Sequence, residues 1–593
     1  MAAQGRRPVL DPGVVRDSAA SRVSAVTAAP DPAVTRSGPA GNREPRSLFA
    51  NVRSGAIWSF SSTIFLKLSS IGVTAIVARI LSPHDFGVFA VATTVFTIVT
   101  AFGEFGVTSC LARADLDPDA LAPTLWSVSL VSSLIIAGAL YKFAGPIAAN
   151  LGSRDAARPV QVMGLVMVFW GISAVPTAQC VREFRQRRLF LAWALSFFPS
   201  AAVLLFLAKH GSGAMAFAWS RVAGQGVSCV VVLLSAPKLY LPGLTRGALA
   251  VLYKFGVPLA CANFVGYVLQ NVDYALIGRL IGPVRLGTYV LAFNAASWSS
   301  AMLVGMLNTV SLPAFSRVKN DAARLGAAMA DGVRVVMLIA APMCTLVMVL
   351  SRPIVLTLYG GRWAASAAVL SILACYGLVS VVGVLFSNML AALGRTKFVL
   401  GIQLIWLAGL VPAMAIGVRR DGIVGAAIAH IVIIGPIVLP CYLVALNRAA
   451  GVRIGPLAKA AFPPLAASVA AAGLAWVVAS RFESPLVQLV AGLAAGGSLY
   501  VTATAPQLIL VVARGRAAHP LVRAILQAYQ RIGRALGVPV GWSPRHAGSR
   551  SRRTGALRRG TLAGKHRTGG GGRTGSRSGT GTGSLRQADC RSE

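Results

Sequence analysis

The sequence predicts an all-α polytopic membrane protein of about fourteen transmembrane helices, built as two pseudo-symmetric six-helix lobes followed by two extra helices. Three observations carry that prediction. Of the 593 residues, 55% are apolar and only 12% are charged, about half the charged fraction of soluble domains. The apolar residues fall in runs of about 20 or more separated by short polar breaks, the length that crosses a bilayer as a helix. A stretch early in the apolar region is also echoed 200 residues later. The first two observations exclude a soluble multidomain enzyme.

Residues 1–53 are rich in Ala, Arg, Pro and Ser without periodicity, so they are expected as a disordered cytoplasmic tail. Pro, Gly, Asp and Arg interrupt every short apolar run there, which leaves no signal-peptide core and makes the first hydrophobic helix direct insertion. The first lobe, 54–236, holds spans at about 56–80, 88–111, 122–145, 158–180, 189–208 and 213–236. The second, 248–447, holds spans at about 250–281, 287–311, 331–359, 365–393, 397–417 and 421–447. Two more, at 457–480 and 485–513, form the appendage 457–513. Residues 518–537 place Leu521, Ile525, Tyr529, Ile532 and Leu536 near one face. They suit either a helix lying on an anionic leaflet or an extension of the last span. Residues 541–593 are an Arg/Gly-rich tail, expected to be disordered and dispensable.

The formal charge of +38 divides unevenly: 8 basic and 4 acidic residues in 1–53, 31 and 12 in 54–513, and 17 and 2 in 514–593. The tails hold much of the excess, and Trp542 is the only indole beyond 540. The C-terminal tail therefore reads as a partner for anionic headgroups rather than for nucleic acid. Fourteen spans put both termini on one side, and a cytoplasmic N-terminus gives 17 basic residues in the cytoplasmic linkers against 12 in the exterior ones. The cluster Arg182, Arg185, Arg187, Arg188 falls on that same side, which points to both termini being cytoplasmic. The eight cysteines form no CxxC pair and read as small buried hydrophobes.

The echo pairs VARILSPHDFGVFAVA at 77–92 with IGRLIGPVRLGTYVLA at 277–292, with Arg79/Arg279, Pro83/Pro283, Gly87/Gly287 and Ala92/Ala292 identical. Both segments end a long span, turn through Pro and begin the next span after Gly. A weaker echo pairs Gly213 and Ala218 with Gly422 and Ala427. Six helices separate the matching turns, so the halves insert in parallel and are expected to face one another across a central cavity.

At these residues the chain resembles the polysaccharide-transport branch of the MOP exporter superfamily, the Wzx-type flippases for lipid-linked oligosaccharides. Lipid II flippases and MATE drug exporters are more distant relatives. The matching stretches are ARILSPHDFGVFA at 78–90, Asp273 with IGRLIGPVRLGTY at 277–289, LYGGRW at 358–363, ALGRTK at 392–397 and GIVGAAIAH at 422–430. The resemblance covers about 54–510 and leaves both tails outside it. The resemblance implies two lobes that alternate between inward-open and outward-open states around a basic cavity. It also implies a polyprenyl-diphosphate-linked oligosaccharide as substrate, for export of a polysaccharide of the exopolysaccharide or O-antigen type, with other assembly proteins as partners.

Charges inside spans are costly and face cavities or partners. Lys67 and Arg221 are candidates for phosphate or sugar contacts, with pairing to a helix terminus or to Glu104 as the alternative. Gln270 and Asn271 are candidates for sugar hydroxyls, or for a polar stripe between helices. Glu104 and Asp273, each flanked by apolar sequence, are candidates for ion coupling. Arg79, Pro83 and Gly87, with Arg279, Pro283 and Gly287, read chiefly as structural turns, the arginines snorkelling to the interface. No GK[ST] loop, HExxH, GxSxG or His/Cys cluster occurs among only six histidines, so no cofactor, metal or ATP engine is expected. His84, His210 and His430 read as solvated or satisfied. A MATE-type multidrug exporter and a membrane glycosyltransferase or polymerase remain alternatives. The basic middle region disfavours the first, and exterior linkers of about 15 residues or fewer disfavour the second.

Overall fold

The computed structural model of the protein describes residues 69–103, 111, 118–183, 185–236, 238–316 and 322–515. The readings of Lys67, Glu104, the N-terminal tail, the surface helix 518–537 and the C-terminal tail fall outside the described residues. The chain divides into two compact units, 1–499 and 500–593. Of the second, the described residues 500–515 are helical.

The described residues form helices and no strand. In order they are α1 (Ser69–Ile80), α2 (Pro83–Gly103), α3 (Pro118–Asn150), α4 (Ala157–Arg182), α5 (Gln186–Lys209) and α6 (Ala214–Ser235). After the linker come α7 (Arg246–Val251), α8 (Val257–Ile281), α9 (Pro283–Ser316), α10 (Ala322–Val349) and α11 (Ser351–Leu358). The last are α12 (Ser366–Ala392), α13 (Thr396–Ile433), α14 (Leu439–Ala450), α15 (Ile454–Ala479) and α16 (Pro485–Gly515). Among the described residues ten helical runs are long and apolar enough to cross a membrane, one of them the 55-residue run Thr396–Ala450. The long helices α8 and α9 are not among the ten. They carry Gln270, Asn271, Asp273 and Asn294, which interrupt their apolar character.

Local chemistry explains where elements begin and break. Ser82 and Asp85 form a reciprocal capping box, Asp85 N–H donating to Ser82 Oγ at 3.3 Å and Ser82 N–H to Asp85 Oδ2 at 3.0 Å. Pro83 takes the first helical position, where its missing N–H costs nothing. For that reason α2 starts five residues before the expected 88. The run Thr396–Ile433 breaks at Asp421 (φ −124°) and Gly422 (φ 59°), which separates the two expected spans. Pro436 then lies in a π turn, Ile434–Val438, as expected where a ring removes a helical donor. The span expected at 331–359 is instead α10 and α11. Helix α10 starts at Ala322 because a helix need not stop at the hydrocarbon edge, and the Arg334–Asp331 pair at 3.0 Å supports its polar turns.

The repeat is visible in the backbone. Gly213 adopts φ 53°, ψ −134° and Gly422 adopts φ 59°, ψ −132°, a region open to glycine and costly for other residues. The partners in that echo, Ala218 and Ala427, are both fully buried. A second recurrence joins Gly152 (φ 89°) and Gly360 (φ 92°). Each is followed by a short 3-10 turn, Arg154–Ala156 and Gly361–Trp363 respectively.

The largest apolar core lies at the end of the bundle where the echoed turns sit. It combines Val77, Leu81, Phe86 and Ala216 from the first half with Ile277, Tyr289, Trp363 and Ala427 from the second. Among the described residues the cores toward the opposite end are separate: the buried members of one lie between 303 and 457, and those of the other between 111 and 252. Ala248 and Leu252, four residues apart on one helical face, bury with Leu121, Leu125 and Val175. At Ala248, where the second lobe is expected to begin, the chain packs on the first half.

Candidate functional site

The echoed turns meet. A Cβ on Gly87 would lie 1.7 Å from the Pro283 carbonyl oxygen, and one on Gly287 would lie 1.9 Å from the Pro83 carbonyl oxygen. Each glycine thus receives the backbone of the other half's proline, an arrangement two equivalent turns adopt about a two-fold axis. A Cβ on Gly152 would likewise lie 1.9 Å from the Gly278 carbonyl oxygen. Around this dock the halves exchange hydrogen bonds. Arg79 donates from Nε to the Leu358 carbonyl at 3.2 Å and from Nη2 to the Thr357 carbonyl at 2.5 Å, the last carbonyls of α11. Arg362 donates back to the Leu81 carbonyl at 3.3 Å. The fully buried Trp363 donates from Nε1 to the Ala78 carbonyl at 2.8 Å and sets its ring edge-on to Phe86 at 5.0 Å. Arg79 is therefore a tie between halves rather than a snorkelling side chain. Arg279 is exposed and makes no hydrogen bond or ion pair among the described residues, so the repeat is not symmetric at the arginines.

Asp273 is 2% exposed and sits about 12 Å along α8 from the turn at Gly282. Tyr289, at a similar depth on α9 and fully buried, donates its hydroxyl hydrogen to Asp273 Oδ2 at 3.2 Å. His430 of α13, 4% exposed, brings Nε2 to 3.2 Å from the Tyr289 oxygen and 3.8 Å from Asp273 Oδ2. With the tyrosine hydrogen committed to the carboxylate, its oxygen accepts from Nε2–H of His430, an assignment made from the bonding pattern. His430 Nδ1 is then buried with no hydrogen-bond partner among the described residues. Tyr376 of α12 faces the imidazole at 4.7 Å between rings, and Tyr274 stands edge-on to Tyr289 at 6.2 Å. Four helices of the second half thus enclose a connected acid, phenol and imidazole.

The neighbouring amides turn inward on their own helix. Asn271 is buried and donates to the Tyr267 carbonyl at 2.8 Å, while Gln270 is exposed and donates to the Gly266 carbonyl at 3.3 Å. Arg221 stands apart, lining a cavity of about 470 Å³ within the first half whose walls include neither amide nor Asp273. The structure therefore does not gather Arg221, Gln270 and Asn271 around one space. The sequence reading missed His430, Tyr289 and Arg362. His430 ends the motif GIVGAAIAH and Arg362 lies in LYGGRW, and a titratable ring inside an apolar run was the signal available. Among the described residues no group of His, Cys, Asp and Glu is arranged to hold a metal ion.

Residues 76–368 match the family model for a polysaccharide biosynthesis protein. The succinoglycan biosynthesis transport protein ExoT of Rhizobium meliloti is 27% identical over 456 residues, covering 75% of this chain and 90% of that protein. The lipopolysaccharide biosynthesis protein WzxC of Escherichia coli is 23% identical, covering 65% and 79%. Among solved structures, lipid II flippase MurJ in an inward closed conformation superposes with TM-score 0.64 at 15% identity, covering 77% of this chain and 99% of MurJ. An inward-facing MATE multidrug transporter of the MOP superfamily superposes with TM-score 0.54 at 14% identity, covering 66% and 96%. The chain has the fold shared by these two structures. The matches to polysaccharide biosynthesis and transport proteins cover most of the chain, in line with the resemblance read from the motifs.

Proposed function

We propose that this protein flips a polyprenyl-diphosphate-linked oligosaccharide from the cytoplasmic to the outer leaflet by rocking two lobes, for export of a polysaccharide. It acts as a transporter and catalyses no bond chemistry, in keeping with relatives named for transport. Two six-helix lobes, 54–236 and 248–447, with the helices of 457–513 alongside, make up fourteen spans in a bacterial cytoplasmic membrane. With both termini inside, as the Arg/Lys census favours, the docked turns are the exterior end. The observation that carries the proposal is the reciprocal docking of Gly87 on Pro283 and Gly287 on Pro83, combined with cores that separate toward the other end. Two bodies joined at one end only have a pivot and an opening, as alternating access requires.

Lys67 and Arg221 contact phosphate or sugar, with Gln270 and Asn271 as secondary polar contacts. Asp273 couples transport to an ion gradient through Tyr289 and His430, and Glu104 is a second coupling carboxylate. The partners are the lipid-linked substrate, membrane lipids and other polysaccharide assembly proteins, not nucleic acid.

Cells lacking the protein are expected to accumulate a lipid-linked oligosaccharide on the cytoplasmic leaflet, and a plasmid-borne copy is expected to clear it. Extraction and mass spectrometry of the polyprenyl-linked pool check this. An unchanged pool together with loss of some other export would overturn the proposal.

A further inference from the structure

The cavity within the first half has a chemistry of its own. It lies among α2, α4, α5 and α6 and is lined by Trp170, Trp193, Phe197, Ser200, Arg221 and Gln225, with Phe96 and further serines completing the wall. Arg221 sits seven residues into α6, about 10 Å below the helix start. Its side chain is exposed to the cavity and makes no hydrogen bond or ion pair among the described residues. A guanidinium at that depth, with no carboxylate beside it among the described residues, calls for water or an anion. Phe96 and Trp170 stack nearly parallel, 13° apart, with ring centroids 6.1 Å apart. Gly224 lets α5 and α6 close, since a Cβ there would meet Ser200 at 3.1 Å. Ser196, Ser200, Ser228 and Gln225 add polar groups to the lining.

This lining discriminates. A cationic drug would meet an uncompensated Arg221 and no carboxylate among the lining residues. A plain isoprenoid chain would bury hydroxyls, an amide and a guanidinium against hydrocarbon. It suits the nearby groove of Ala202, Val203, Phe206, Leu207 and Trp219, whose lining is almost wholly apolar. A pyranose ring fits the cavity: its C–H face lies on indole, its hydroxyls find Ser and Gln, and an anionic substituent takes the planar fork of Arg221. At about 470 Å³ the cavity falls in the range of small-molecule sites, with room for about one or two such rings.

We infer that the Arg221 cavity is a binding subsite for a pyranose bearing an anionic group, inside the first half and separate from the space between the halves. This rests on the reading of the protein as an oligosaccharide flippase and names the substrate feature that the first half recognises. The anionic group has two sources, an acidic sugar of the glycan or the phosphate joining the first sugar to the lipid.

The test uses the full-length protein in lipid nanodiscs, with quenching of tryptophan fluorescence as the readout. The probes are methyl glucuronide, glucose 1-phosphate and the neutral methyl glucoside. Either charged probe is expected to bind at least about tenfold more tightly than the neutral one, and Arg221→Gln is expected to erase that difference. Preference for the glucuronide assigns the site to an acidic sugar, and preference for the phosphate assigns it to the lipid-proximal end. Arg221→Lys, which keeps the charge, is expected to retain part of the selectivity and guards against reading misfolding as lost binding. Equal binding of all three probes to the unaltered protein, or selectivity that survives Arg221→Gln, would overturn the inference. Accumulation of the lipid-linked pool is independent of this readout, so charge-selective binding without substrate accumulation would fault the flippase reading rather than the subsite.

Discussion

Gly287→Ala is expected to reduce transport by at least about tenfold and to push the docked end of the molecule open. The atoms a new methyl would meet are the Pro83 carbonyl oxygen at 1.9 Å and the Gly87 nitrogen at 2.8 Å. These are backbone atoms at the start of a capped helix, with no rotamer to yield. Helices α2 and α9 would have to part by about 1.5 Å before the contact reached ordinary packing. That shift is large beside the Arg79, Arg362 and Trp363 hydrogen bonds that span the same seam. Overpacking of this kind costs about 1–3 kcal/mol, and here the cost falls only on the state with the turns docked. Gly87→Ala is expected to behave alike, because its methyl would meet the Pro283 carbonyl oxygen at 1.7 Å. Gly138→Ala in α3, which has nothing within 4 Å, is the control and is expected to transport normally. Accumulation of the lipid-linked oligosaccharide is the measurement. Normal transport by Gly287→Ala would mean that docking of the turns is not part of the cycle.

Asp273→Asn is expected to abolish the response of transport to an imposed pH gradient. Asn still accepts from Tyr289 through its carbonyl oxygen, so the hydrogen-bond frame survives, but it cannot take up or release a proton. The groups facing the position are Tyr274 on its own helix, Tyr289 from α9 and His430 from α13, with Tyr376 of α12 standing behind the imidazole. A carboxylate 2% exposed is tolerated because a phenol and an imidazole share its charge, and loss of one partner from such a buried set costs about 3–5 kcal/mol. Hence His430→Ala is expected to lower the thermal stability of the purified protein, and the double variant Asp273→Asn with His430→Ala to recover part of that loss. Transport by Asp273→Asn that still tracks the gradient would remove the carboxylate from coupling.

The repeat was legible because it is written in residues with backbone consequences. Pro83/Pro283 and Gly87/Gly287 stand out in an Ala- and Leu-rich chain, and matching positions in a parallel duplication are brought face to face by its axis. The direct packing of each glycine on the other half's proline was not legible, since sequence gives the turn but not its distance from its partner. Gly213 and Gly422 were a weak echo by letters alone and became a strong one through dihedral angles that agree within a few degrees. Asp273 was singled out as a charge in an apolar run. Its partners were not, because Tyr289 and His430 are 16 and 157 positions away and only the crossing of α8, α9 and α13 brings them together. Arg79 and Arg279 carry the same letter yet differ in role. The acceptors of Arg79 are the last carbonyls of α11, a short helix that the sequence reads as one span with α10.

The central claim is that the halves rock about the docked turns, closing one end as the other opens. It is tested most directly by two distances measured by pulsed electron paramagnetic resonance in nanodiscs. One pair of spin labels sits at the docked end, on the exposed positions His210 and Arg420, and the other at the opposite end, on the exposed positions Arg187 and Lys397. On adding the lipid-linked oligosaccharide, the account predicts that the His210–Arg420 distribution gains a longer component while the Arg187–Lys397 distribution gains a shorter one. Both distances unchanged, or both moving in the same direction, would contradict it.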